Sequence, residues 1–366
     1  MKFVSGDRIF FALVVSMALA GLAIFSSAAL GLLARESSSL SKDIMLQSGL
    51  GLGLGLIVLM IARAIPLAWT KKYAPYLFVA SLLFTALVFV PSIGFRAGGA
   101  TRWINLGFTT VQPAEFLKIG FVLVLAWWLA PRARQLSNPK VGLLPFISIL
   151  AIPSALLLAQ PNTSTTLLLI VTGAVMYFVA GAPWRDFGIL ILIAFIALGA
   201  VIFLRPYVRD RIMTFINPSE NSLSTGYQIQ QSLIAIGSGG LLGRGLGQSV
   251  EKFNYLPEPD GDSVFAVFAE EAGFIGALIL IALFVALAAR GIVIAGHSPD
   301  LFGGLVALGL SFVIICQAFI NICAMLGMIP LTGLPLPFIS RGGTALMAIL
   351  LMCGLILNVA SHRRSA

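Results

Sequence analysis

The chain has 366 residues, of which 59% are hydrophobic and 10% charged, against about 25% charged in ordinary soluble domains. With a mean hydropathy of +1.01, this composition excludes a water-soluble enzyme, a secreted disulfide scaffold and a disordered chain. The net charge of +9 does not point to nucleic acid, because Lys and Arg fall singly or in pairs between apolar blocks rather than on one clustered face.

Apolar blocks recur at about 9–33, 44–62, 73–91, 115–131, 143–159, 164–182, 187–204, 264–289, 301–325 and 343–360. A bilayer span needs about 20 apolar residues. The pattern therefore predicts an all-α polytopic membrane protein of about ten transmembrane helices, one domain over residues 1–366. The first block is longer than a signal-peptide core and reads as a retained span. Ten spans put both termini on one side. That side collects Lys2, Arg8, Arg63, Lys71, Lys72, Arg132, Arg134, Lys140, Arg185, Arg290, Arg363 and Arg364. The short segments opposite carry Arg35, Lys42, Arg96, Arg102, Lys118 and Arg341. With long loops discounted, as the positive-inside rule advises, both termini are expected in the cytoplasm. Segments 92–114, 205–262 and 326–342 then face the exterior. A connection as long as 205–262 is usually functional, so any chemistry is expected outside.

Along the chain, Gly49, Gly51, Gly53 and Gly55 give small-residue spacings that permit close helix packing. Glu115 and Lys118 stand three apart at the start of the fourth span, as an ion pair on one helix face would. Such a pair either locks the bundle or serves the site. The run Gly237–Gly247 looks like a phosphate cradle but lacks the Lys-Ser/Thr of a P-loop, so it reads as a tight irregular loop. Glu258, Asp260 and Asp262 then crowd three carboxylates into five residues where an external loop enters the eighth span. Asp260 or Asp262 could equally serve only as an N-cap, and a calcium site would need more oxygen ligands than this stretch supplies. Glu270 and Glu271 fall inside that span, paired or lining a polar cavity, because an unpaired charge there costs several kcal/mol. Cys316 and Cys323 are about 10 Å apart along one helix, too far for a bridge, and read with Cys353 as packing residues.

Several stretches resemble one family over nearly the whole chain. They are Arg102-Trp103-Ile104-Asn105-Leu106-Gly107, Gln112-Pro113-Ala114-Glu115-Phe116-Leu117-Lys118, Tyr227–Gly240, Leu256-Pro257-Glu258 through Asp262, and Asn321–Gly343. In this order they resemble the SEDS proteins (shape, elongation, division and sporulation), with RodA and FtsW as familiar members. The resemblance implies a peptidoglycan glycosyltransferase that polymerises lipid II on the outer face of the bacterial cytoplasmic membrane. It implies work on a growing lipid-linked glycan beside a class B penicillin-binding protein and other divisome proteins. The segments 233–241 and Gln248-Ser249 resemble FtsW more than RodA, which points to septal synthesis; a RodA-type role in elongation is the alternative.

The same resemblance maps the family's essential aspartate onto Asp262. It also shows departures: Asp260-Gly261 where the family usually has His-Thr, Asn162 in place of an aspartate, and Arg341 in place of a tyrosine. The chemistry joins the 4-hydroxyl of one sugar to an anomeric carbon, with a lipid diphosphate leaving. One carboxylate suffices as base, and the departing charge wants cations or an ion such as Mg²⁺. The expected roles are Asp262 as base and Glu258 as its orienting or metal partner. Arg102 and Trp103 are expected on the substrate, Glu115 and Lys118 shaping the cavity, and Arg341 among the cations. A lipid II flippase and a structural scaffold are the rival readings from other classes; both would spare Asp262.

Overall fold

The computed structural model describes residues 7–31, 44–97, 100–107, 109–217 and 225–362. Lys2, Arg35, Lys42, Arg363 and Arg364 of the charge count lie outside these residues, as do 218–224 of the long connection.

Three helices come first: α1 Arg8–Ala29, α2 Leu46–Ala64 and α3 Leu67–Ala86. A small antiparallel sheet follows, with β1 Gly94–Ala97, β2 Ala100–Asn105 and β3 Thr110–Val111 in that spatial order. Then come α4 Pro113–Leu129, α5 Leu143–Ala159, α6 Thr163–Val179 and α7 Trp184–Leu204. The long connection holds α8 Pro206–Ile216, α9 Thr225–Ser238 and α10 Glu251–Asn254. The chain ends in α11 Val264–Gly296, α12 Leu301–Met325 and α13 Gly343–Ser361.

The expected helical polytopic fold is what the structure shows, with the three short strands β1–β3 added to it. Among the described residues eight helices are long and apolar enough to span a bilayer; α5 and α6, where the fifth and sixth spans were expected, have 17 residues each. At 1.5 Å per residue these reach about 25 Å, just short of a 30 Å hydrocarbon core. The count of ten spans therefore stands at eight, with two shorter apolar helices. The 205–262 connection is also no bare loop.

Ion pairs and caps gather the helix ends onto two faces. At one face Arg290 near the end of α11 grips Asp7, the N-cap of α1, at 2.8–2.9 Å. There Lys71 of α3 meets Asp300, the N-cap of α12, at 3.7 Å. Asn358 of α13 donates to the terminal carbonyls of Ala62 and Arg63 at 3.2 and 2.8 Å. These bonds satisfy acceptors that the end of α2 leaves open. Both ends of the described chain thus share one face. The sheet, α8, α10 and the 326–342 loop occupy the other.

In the centre, α4 and α13 are buried along nearly their whole length, whereas α7 buries only Asp186. Its apolar surface, such as Phe203 at 91% exposure, suits lipid rather than water. The glycines of α2 do different work. Gly51 and Gly55 abut Gly343, Met347 and Leu350 of α13, while Gly49 meets nothing. The stripe is therefore a one-sided packing face.

α11 is broken at Gly273, whose φ of 68° and ψ of −170° no helix contains. The Gly-rich turn fills the gap. Arg244 and Gly245 donate to the carbonyls of Glu270 and Glu271 at 3.0 and 2.9 Å, and Phe274 and Ile275 donate back to Gly240 and Leu241 at 2.9 and 3.2 Å. Irregular backbone beside a membrane persists only where protein satisfies it like this. The two acids are held as well. Glu271 pairs with Lys252 at 2.6 Å and accepts from Ser27 Oγ at 2.6 Å, while Glu270 takes Ser249 Oγ at 2.5 Å and Arg244 at 3.4 Å. Burial, then the charge of Glu270, raises the carboxyl of Glu251.

A Cβ at Gly273 would clash with Gly243 N and lie 2.7 Å from Leu241 O. Gly273→Ala is therefore expected to cost at least the 1–3 kcal/mol of a glycine-only conformation. The thermal midpoint in detergent should fall, while Gly188→Ala, in open space on α7, should leave it unchanged.

Candidate active site

Asp262 ends the outer loop, two residues before α11 begins. The N-cap of α11 is Ser263, and it makes no side-chain cap bond. The N-cap reading of Asp262 therefore falls, and that of Asp260 falls with it. Instead the backbone here is pinned from outside. Arg341 N donates to Asp260 O at 2.7 Å, Ser340 Oγ to Gly261 O at 2.8 Å and Asn321 Nδ2 to Asp262 O at 2.9 Å. Upstream, Glu258 adopts a φ of 45° and its carbonyl accepts from Gly261 N and Ser263 N at 3.1 and 3.3 Å. Such strain in a non-glycine residue persists where neighbours over-determine it, often at functional sites.

With its backbone held, the Asp262 carboxylate points at the 326–342 loop. A Cβ on Gly333 (φ 64°) would lie 3.3 Å from Asp262 Oδ2 and 3.9 Å from Arg211 Nη2. Burial, then the charge of Glu258, pushes the Asp262 carboxyl up to about 6, against the pull of Arg211 and Arg102. Arg102, on β2, is lowered by its own burial and by Arg211, and Asp262 opposes this. Each arginine is aimed by backbone carbonyls. Arg102 donates to Gln160 O at 3.4 Å and to Pro161 O, and Arg211 donates to Thr332 O at 3.3 Å. Ser164 Oγ reaches the same Thr332 carbonyl at 2.5 Å.

The other expected residues divide. Glu258 joins the group through its charge. Arg341 pairs with Asp260 at 3.4 Å rather than with Asp262, so the two departures from the family pattern meet each other. Trp103 lies opposite Phe95 in the β1–β2 register and, as the strand neighbour of Arg102, on the other face. Among the described residues no hydrogen bond or ring contact is recorded between it and Asp262. Glu115 and Lys118 form a 2.8 Å pair with both side chains buried, 2% and 0% exposed. They offer little surface to a substrate. Lys118 also donates to Gln317 at 2.5 Å, and Gln317 to Pro335 O at 2.9 Å. The pair thus supports the 326–342 loop from below.

Sequence reasoning missed Tyr207, Ser164 and the supporting Asn321. The Tyr207 hydroxyl is buried without a hydrogen-bond partner and feels the charge of Arg102. An aromatic on a short helix gives no sequence signal; an unsatisfied buried hydroxyl is visible only in three dimensions. No group of three or more His, Cys, Asp or Glu side chains that could hold a metal ion is found among the described residues, and the charges of Glu258, Arg211 and Arg102 all act on Asp262.

A largely helical bundle thus carries, at one end, a half-shielded carboxylate on which two arginines and a second carboxylate act. Comparison narrows this. A family model described as cell cycle protein, FtsW/RodA/SpoVE, matches residues 7–365, and the chain belongs to that family. Stage V sporulation protein E of Bacillus subtilis (strain 168) is 38% identical over 312 residues, 85% of each chain. Peptidoglycan glycosyltransferase MrdB of Escherichia coli (strain K12) is 34% identical over 332 residues, 89% of each chain. Among solved structures, a chain of a peptidoglycan synthase complex that coordinates polymerisation and crosslinking superposes with a TM-score of 0.80. It is 30% identical, with 98% of each chain covered.

The buried pair can be tested by a double-mutant cycle. Removing one partner of a buried pair costs about 3–5 kcal/mol. Glu115→Gln and Lys118→Met are expected each to cut folded yield sharply, and the double variant to recover part of it. Fluorescence-detected size exclusion reads this, and additive losses would refute the pair.

Proposed function

We propose that the protein is a peptidoglycan glycosyltransferase that polymerises lipid II into glycan strands, with Asp262 as general base. The observation that carries this is the Asp262 carboxyl, raised to about 6 by burial and by Glu258 while two arginines face it. A base works best with its pKa near the operating pH. In the reaction the sugar 4-hydroxyl attacks the anomeric carbon as Asp262 takes its proton. The bond from that carbon to the diphosphate breaks, and the lipid diphosphate leaves with the electron pair. Arg102 and Arg211 are placed to stabilise the charge it carries away. Tyr207 offers a hydroxyl to the same oxygens. A good leaving group makes the second carboxylic acid of glycosidases unnecessary. No step is routed through a divalent cation.

Glu258 acts on the base through its charge, Glu115 and Lys118 act by supporting the Gly333 loop, and Arg341 acts through Asp260. The site lies outside the cytoplasmic membrane with both termini in the cytoplasm. The Lys/Arg count and the two described ends sharing one face support this reading. A class B penicillin-binding protein is the proposed partner; the likeness to a chain of a peptidoglycan synthase complex that coordinates polymerisation and crosslinking supports this. The stretches closer to FtsW favour septal synthesis among divisome proteins.

The test is polymerisation of purified lipid II by the purified chain with that partner. Asp262→Asn should lose on the order of 10²–10⁴-fold in rate with the fold intact. Full polymerisation by the variant would reject the base and reopen the flippase and scaffold readings. The pH profile gives a second check. Because the base acts deprotonated, kcat/KM should rise with pH through about 6, the position set by burial and Glu258. Glu258→Gln removes the charge that raises Asp262 and should move the limb to lower pH. Arg211→Gln removes one that lowers it and should move the limb to higher pH.

A further inference from the structure

A second opening lies on the same outer face. A cavity of about 420 Å³ sits between the end of α3 (Val88, Phe89), the β1–β2 ribbon (Arg96, Thr101) and the end of α5 (Ala159, Gln160). The ribbon register pairs Arg96 with Thr101 after a bulge at Phe95, so the two side chains share a face. Among the described residues no hydrogen bond or ion pair is recorded for Arg96, and no acid lines the cavity. Beside it Phe89, Val90 and Phe95 stay 47%, 38% and 43% exposed, at the end of a helix that is otherwise at home in lipid. An unpaired cation over an apolar rim at the membrane surface is complementary to an amphiphile with an anionic head.

We propose that this cavity binds the phosphate or diphosphate head of a membrane lipid, with Arg96 as its cationic contact. The placement adds a reason. Arg102, whose charge is coupled to Asp262, bonds to the carbonyls of Gln160 and Pro161, which line this cavity. The cavity and the base are thus joined through one arginine but use different cations. In the polymerisation proposed above both sugars are carried on lipid diphosphates. One head departs at Asp262 and the other has to be held nearby. Assigning the cavity to the second head rests on that reading; the affinity for an anionic lipid head does not.

The experiment uses the full chain carrying Asp262→Asn, so that nothing turns over, in phosphatidylcholine nanodiscs. Undecaprenyl diphosphate is titrated and bound lipid counted by native mass spectrometry, with phosphatidylglycerol in a parallel arm. Arg96→Gln removes the cation, and Ala159→Trp fills the exposed mouth. Each variant is expected to weaken one bound lipid on the order of tenfold. Loss of bound undecaprenyl diphosphate assigns the cavity to the substrate lipid, and loss of phosphatidylglycerol alone assigns it to bulk phospholipid. Unchanged occupancy of both lipids in both variants, at an unchanged thermal midpoint, would overturn the proposal. If Arg96-dependent binding holds but the native chain with its partner does not polymerise lipid II, the site stands and the polymerase reading falls.

Discussion

Asp262 has no helix of its own to hold it, and the face that carries the sheet and the 326–342 loop is organised around that lack. Carbonyls 260, 261 and 262 are each taken by a different donor, and all three donors come from α12 or the 326–342 loop. The loop is held in turn. Asn321 bonds Leu334 O at 2.8 Å, and Gln317, one turn earlier on α12, bonds Pro335 O at 2.9 Å. Residues four apart share a helix face, so one stripe of α12 fixes both partners of the site. A carboxylate whose backbone is tied this way loses little entropy on meeting substrate. That is how a group on a loop reaches the precision usually found on a rigid element.

Beneath this lies a ladder of buried charges. Glu115–Lys118–Gln317 supports the loop, and Lys252–Glu271 with Arg244–Glu270 anchors the segment that leads into Glu258 and Asp262. Buried pairs are poor sources of net stability, because desolvation offsets their attraction. Their value here is geometric. A charge without water tolerates few partners, so each pair fixes which element packs against which. The break at Gly273 belongs to the same device. It opens two carbonyls that only the Gly-rich turn can satisfy, and the turn brings Lys252 to Glu271.

The membrane elements and the carboxylate cluster at the start of α11 were legible in the sequence, for different reasons. Bilayer thickness imposes run length on a span, so α1, α4, α12 and α13 stand close to their apolar blocks. Glu115 and Lys118 could be paired because both partners lie on one helix turn. The 92–114 sheet was not legible. Its strands are four, six and two residues long, too short for alternation to register. Nor were α8 and α9, whose amphipathic pattern is diluted in a polar segment. Within the site, the clustering of Glu258 and Asp262 is a local signal and was read. The meeting of Asp262 with Arg211 and Gly333 joins segments 51 and 71 positions distant, which no spacing rule reaches. The charge of Arg341 is visible in the sequence, whereas its pairing with Asp260, 81 positions away, is not.

The division between frame and site also explains where variation is tolerated. Asp260 and Arg341 replace residues of different character, yet they replace them together. The new pair, with the main-chain bond from Arg341 N, ties the same two loops. What the site requires at these positions is a link across the loop pair, and an ion pair at 3.4 Å supplies one. Asp262 differs from these positions, because burial, Glu258 and two arginines act together on its carboxyl. Asn162 illustrates the intermediate case. It caps α6 through Thr165 N at 3.3 Å, a task an aspartate performs as well, so the exchange preserves the helix start next to Pro161. It removes one negative charge beside the carbonyl that aims Arg102.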